Sequence, residues 1–164
     1  MIMQVGSWFV QELKKASPGE GGGTLTRQWR TVVLGARYRE LEKLSGEFEE
    51  WWLRKSLPEP LSEAAFAALL NELERRITYL GEPLALVESD QVQRKALLRS
   101  RPPLMEGEEV AFFQLTVSPE IRVVLHRMRN RNRKTEKIPF VLSYSVLERL
   151  VNDVVEIVGR VETQ

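Results

Sequence analysis

The chain has no cysteine, a single histidine and no apolar run long enough to cross a bilayer. Without thiols there is no disulfide, no thiolate nucleophile and none of the usual structural zinc sites. His126 has no second imidazole at ligand spacing, so no metal centre and no cofactor are expected within one chain. A helical membrane span needs roughly 18 or more consecutive apolar residues. The opening MIMQVGSWFVQELKK also lacks a basic leader and a long apolar stretch ahead of a small-residue cleavage site. A cytoplasmic protein without membrane insertion is therefore expected.

Catalytic signatures are equally sparse. The glycines at 19 and 21–23 lack the lysine of a phosphate-binding loop, and Ser143-Tyr144-Ser145 lacks the glycines of a nucleophile elbow. Carboxylates at Glu82, Glu88 and Asp90 flank the first expected strands, and Glu106, Glu108 and Glu109 crowd a turn. Acid–base chemistry from them requires convergence in space, which leaves an enzyme with an unrecognised carboxylate site as the third-ranked reading.

What is present suits one folded domain: 164 residues, 43% hydrophobic and 29% charged. The net charge of +1 conceals a local excess. Between Ile121 and Lys137 stand seven basic residues against one acid, Glu136, while the remainder is net acidic.

The segment SWFVQELKKA reads as a short helix carrying Trp8, Phe9 and Leu13 on one side. SPGEGGGT after it reads as a flexible connector that lets this helix dock elsewhere, another subunit included. The organisation expected is residues 1–24 as helix plus connector and 25–164 as a single domain. Leu25, Trp29, Val32, Val33 and Ala36 cluster at helical spacing, but Thr31, Val32 and Val33 favour a strand, so 25–34 stays open between the two. Leu41, Leu44, Phe48, Trp51 and Trp52 predict an amphipathic helix over residues 36–54, with Gly46 calling for a packing reason.

Ser62 predicts the N-cap of a helix running to about Arg76, with Leu61 and Phe66 at staple positions. Four segments rich in branched and aromatic residues follow, separated by turn formers: ITYLGEPLALVES, QRKALLRS, EVAFFQLTV and IRVVLHRMR. They predict an antiparallel meander whose last two strands are joined at SPE. The closing SVLERLVNDVVEIVG predicts a helix with a capping box at Ser145 and Glu148 and a stop at Gly159. The fold class expected is α+β, with an antiparallel sheet of about four strands preceded by amphipathic helices and followed by a C-terminal helix.

If residues 121–133 form one strand, Ile121, Val123 and Leu125 share a face with Arg127, Arg129, Arg131 and Arg133. With Lys134 and Lys137 these arginines form a candidate polyanion site, because guanidinium forks match phosphate oxygens. The competing explanation is a solvated hairpin. Phe112 and Phe113 on the neighbouring strand point to opposite faces, and at least one is expected in the core. Trp51 is expected in the core as well, whereas Trp8, Phe9 and Trp52 are candidate interface residues.

The leading expectation is a non-enzymatic interaction or assembly module that binds itself, as a homo-oligomer, or a partner protein. Glu40, Glu42, Glu47, Glu49 and Glu50 supply an acidic complement for self-association. Binding of nucleic acid or another polyanion by the Arg-rich segment 127–137 is the alternative. His126 is read as a structural or surface residue.

Overall fold

The computed structural model describes residues 4–16, 21–90, 92 and 94–161. Its elements are α1 (Val5–Ala16), β1 (Gly23–Trp29), β2 (Val32–Leu41), β3 (Ser45–Lys55), α2 (Glu63–Arg76), β4 (Leu84–Asp90), β5 (Lys95–Ser100), β6 (Leu104–Glu106), β7 (Glu109–Ser118), β8 (Arg122–Arg131), β9 (Lys134–Ile138), β10 (Phe140–Ser143) and α3 (Tyr144–Val161). The class is α+β, but the sheet has ten strands rather than about four, and only α1 precedes it. All strand pairings are antiparallel, in the order β1-β2-β3-β8-β7-β5-β4. β6 adds to β7, β9 to β8 and β10 to β3.

The expected helix over residues 36–54 is instead the β2–β3 hairpin, and 25–34 is strand with a turn at Arg30 and Thr31. Bulges explain the error. The register steps from Arg37↔Glu50 to Tyr38↔Phe48, so Glu49 is an extra residue and Phe48 and Trp51, three apart, both face the core. On a strand, that spacing imitates a helical stripe. Gly46 does have a packing reason, because a Cβ there would lie 2.8 Å from the Phe48 ring and 2.9 Å from Leu41.

The meander β4-β5-β7-β8 forms as expected, with β6 as an added strand, and β7 and β8 pair from Ser118↔Arg122 onward. α2 starts as predicted: the Ser62 hydroxyl accepts from the Ala65 amide at 3.1 Å, and Leu69, Leu70 and Leu73 are buried. At α3 the cap differs. The Val146 amide donates to Ser143 Oγ at 3.2 Å, the helix begins at Tyr144, and it runs through Gly159 to Val161. Ser145 is thus inside the first turn, and Gly159 does not end the helix because nothing there requires a left-handed residue.

All three helices lie on one face of the sheet. Leu147, Leu150, Val151, Val154, Ile157 and Val158 of α3 join Leu34, Trp51, Leu53, Leu115, Val123 and Leu125 in one buried cluster. In this chain α1 is docked at home: Val5, Phe9, Val10 and Leu13 are buried in the chain's own core. A Cβ on Gly6 would sit 2.2 Å from the Glu148 carbonyl, so glycine permits the close approach of α1 to α3. Of the expected connector, residues 17–20 lie outside the described residues, and Gly23 and Thr24 already belong to β1. Among the described residues no helix is long and apolar enough to cross a membrane.

An ionic clamp joins α2 to α3. Asp153 accepts from Arg76 at 2.6 Å and from the Tyr79 hydroxyl at 2.7 Å, and Arg149 lies 4.1 Å over the Tyr79 ring. Burial first, then the Asp153 carboxylate, pushes the Tyr79 phenol far above its ordinary range. Replacing Asp153 with alanine strips both donors of a partly buried acceptor and is expected to cost about 2–3 kcal/mol in urea unfolding. Glu156→Ala, which removes an acid that is 47% exposed, should cost under about 1 kcal/mol in the same measurement.

Candidate ligand-binding face of the sheet

Because strand residues alternate, covering one face with helices leaves the other half of each strand to solvent. On that open face the register stacks side chains into rungs running across the strands. One rung is basic: Arg54 on β3 stands opposite Arg122 on β8, Arg122 opposite Ser118 on β7, and Lys95 on β5 lies one step past the Ala96↔Val117 pair. The next is Trp52, Val124, Thr116 and Leu97. The third is polar: Glu50, His126, Gln114 and Arg99.

All of these rung residues except Arg99 line an open cleft of about 770 Å³, whose charged lining is five basic residues (Arg54, Arg94, Lys95, Arg122, Lys137) against Glu50 and Glu120. The Trp52 indole lies on β2 at Gly35, where a Cβ would come 2.1 Å from both Cε2 and Cζ2. Gly35 is therefore the space that lets the ring lie flat, and the half-exposed indole forms part of the cleft wall.

Glu50 and His126 sit where β3 and β8 part. Backbone pairing between these strands reaches Trp51↔Leu125; beyond it β10 takes over β3 and β9 takes over β8. The His126 Nε2–H donates to Glu50 Oε2 at 2.9 Å across the fork. The imidazole is 6% exposed. Burial pushes its pKa below the ordinary value, helped by Lys137 and Arg37 and opposed by Glu50. On the same rung Arg99 Nε donates to Gln114 Oε1 at 2.9 Å and the guanidinium covers Phe112 at 4.8 Å.

The arginine run is distributed differently. Val123, Leu125, Arg127, Arg129 and Arg131 alternate on β8 as expected, but Ile121 and Arg133 fall in turns with positive φ, so neither continues the face. Arg127 lies 4.5 Å over the Phe113 ring, where burial lowers its pKa against the pull of Glu82. Arg129 is bound by Glu136 on β9, and Arg131 reaches Glu109 at 3.4 Å. Arg133 occupies the two-residue β8–β9 turn with Asn132, and Lys134 and Lys137 are exposed on β9.

Among the interface candidates, Phe9 is fully buried, Trp8 packs against Trp29 with ring centroids 4.9 Å apart and planes tilted by 48°, and Trp52 is in the cleft. Phe112 and Phe113 are each 8% exposed. Among the described residues no three His, Asp or Glu side chains converge to hold a metal. Sequence reading missed Arg54, Arg122 and the Glu50–His126 pair as a group. The signal was the alternation Glu50-Trp52-Arg54 and Arg122-Val124-His126, legible once both stretches are read as strands.

Comparison with protein-family models, curated proteins and solved structures finds no match for this chain.

His126 has a pH signature with a defined sign. Its folded pKa lies below the unfolded value of 6.5, so its contribution to stability is complete above about pH 6.5 and is lost as pH falls through the folded pKa. Thermal melts from pH 7.5 to about 5.5 avoid most carboxylate titration. The wild type is expected to lose stability over that window and His126→Gln to show a flatter profile; parallel profiles would exclude the assignment.

Proposed function

We propose that the protein is a non-enzymatic binding module that uses the helix-free face of its sheet, and that its ligand there is anionic. The observation that carries this reading is the Arg54–Arg122 pair. The two exposed guanidinium groups project from directly paired positions of adjacent strands, and among the described residues neither has an acid within ion-pair distance. Like charges opposed across strands are destabilising. An anion bridging both forks relieves that repulsion, and phosphate or carboxylate oxygens suit the geometry.

The polyanion reading is thereby moved from the β8–β9 hairpin to the cleft, because Arg129 and Arg131 have acids of their own. Catalysis is not part of the proposal: Glu50, the acid nearest the only imidazole, is engaged in fixing it. Assembly with a second copy or a partner protein is the second reading, favoured by Leu104 and Met105, 47% and 67% exposed on the short strand β6. Light scattering over a concentration series, comparing wild type with Leu104→Glu/Met105→Glu, tests it; a monomer throughout removes self-assembly.

For the cleft, heparin serves as a sequence-free polyanion. Arg54→Ala/Arg122→Ala is expected to weaken binding at least about ten-fold and to lower the salt slope by about two, one per lost contact. Arg129→Ala/Arg131→Ala is expected to stay within about two-fold of wild type, since each removes a cation already matched by an acid. The reverse ranking would return the site to the hairpin, and no binding by wild type would remove the anionic ligand.

A further inference from the structure

We infer that the anionic ligand is a nucleotide unit, with its phosphate between Arg54 and Arg122 and its base stacked on Trp52; this rests on reading the face as an anion-binding surface. The order of the rungs carries the inference. Along β3 the open-face residues are Arg54, Trp52 and Glu50, so cation, flat ring and polar group follow one another at steps of about 7 Å. A phosphate-only polyanion uses the first of these and has no use for the second.

The ring is built as a platform. Trp52 lies on the bare backbone at Gly35, which supports one face of the indole and leaves the other side to the cleft. Every base has a π-face, so such a platform accepts a base without reading its identity. Beyond the ring, Gln114 has its carbonyl engaged by Arg99, which leaves its amide group as a donor beside the His126 ring. Those groups suit the polar edge of a base rather than a second phosphate. Lys95 extends the basic rung away from β3, so the site also fits a chain that continues across the strands.

The same chemistry is offered by an unpaired nucleic-acid strand and by a free nucleotide. Fluorescence anisotropy separates the outcomes, using a labelled oligouridylate, an abasic sugar–phosphate strand of equal length, and heparin. Wild type is expected to bind the oligouridylate on the order of ten-fold more tightly than the abasic strand. Trp52→Leu should remove that difference, and Trp52→Phe should retain most of it. Because the abasic comparison is made on wild-type protein, it stands even if a Trp52 variant fails to fold.

Equal affinity for the two strands, with both still lost in Arg54→Ala/Arg122→Ala, overturns the nucleotide inference and keeps the anion-binding surface. Failure of wild type to bind heparin or either strand overturns both. Displacement of the oligouridylate by millimolar uridine monophosphate supports a free nucleotide as the source, and resistance to it supports a strand.

Discussion

The packing of α3 across one face of the sheet is the contact on which the rest depends. Its stripe from Leu147 to Val158 shares one buried cluster with inward residues of β2, β3, β7 and β8, and α1 and α2 pack alongside it. Burial of each such side chain stabilises by roughly 1.5–3 kcal/mol, so the covered face is chosen by many small terms acting together. Strand alternation makes that choice binary: a one-residue slip would turn Trp51 and Leu53 outward and bring Trp52 and Arg54 into the core. The polar character of the open face follows from the same register that builds the interior.

The fork between β3 and β8 shows how side chains take over where the ladder stops. Each strand exchanges partner halfway along, β3 to β10 and β8 to β9, which lets a single sheet accept ten strands without one long edge. At the point of divergence the Glu50–His126 hydrogen bond spans the gap. Glu49 is the bulged residue immediately before it and pairs outward with Arg37 at 2.8 Å, so the bulge both turns Phe48 to the core and aims Glu50 across the fork.

How much of this is legible in the sequence depends on whether the cause is local. The α2 cap at Ser62 and the apolar stripes of α2 and α3 are local, so α2 is readable to within a residue and α3 is readable as a helix, although it starts earlier than its expected cap and runs past the expected stop at Gly159 to Val161. The Ser118–Arg122 turn between the last two long strands is readable for the same reason. The β2–β3 hairpin is not, since its bulges put inward residues three apart, as with Phe48 and Trp51, and the exposed loop residue Leu44 fills out the false helical stripe. The basic character of residues 121–137 is plain in sequence, but the pairing of Arg129 and Arg131 is non-local: Glu109 comes from β7, and Glu136 becomes a cross-strand partner only after Asn132 and Arg133 reverse the chain. Arg54 and Arg122, 68 positions apart in the numbering, share no sequence signal at all until β3 and β8 are paired.

That contrast bears on why one set of arginines is matched and the other left open. An exposed ion pair contributes well under about 1 kcal/mol, so the fold gains little by pairing Arg129 and Arg131 and loses little by leaving Arg54 and Arg122 apart. Stability alone therefore does not explain the arrangement, and a glutamate opposite Arg54 would serve the folded state at least as well as Arg122 does. On the proposed reading the open pair is a recognition element. It stands on the central strands of a sheet backed by three helices, with an indole held flat against Gly35 beside it. On that reading, binding at such a surface would spend little free energy on ordering the backbone that carries these groups.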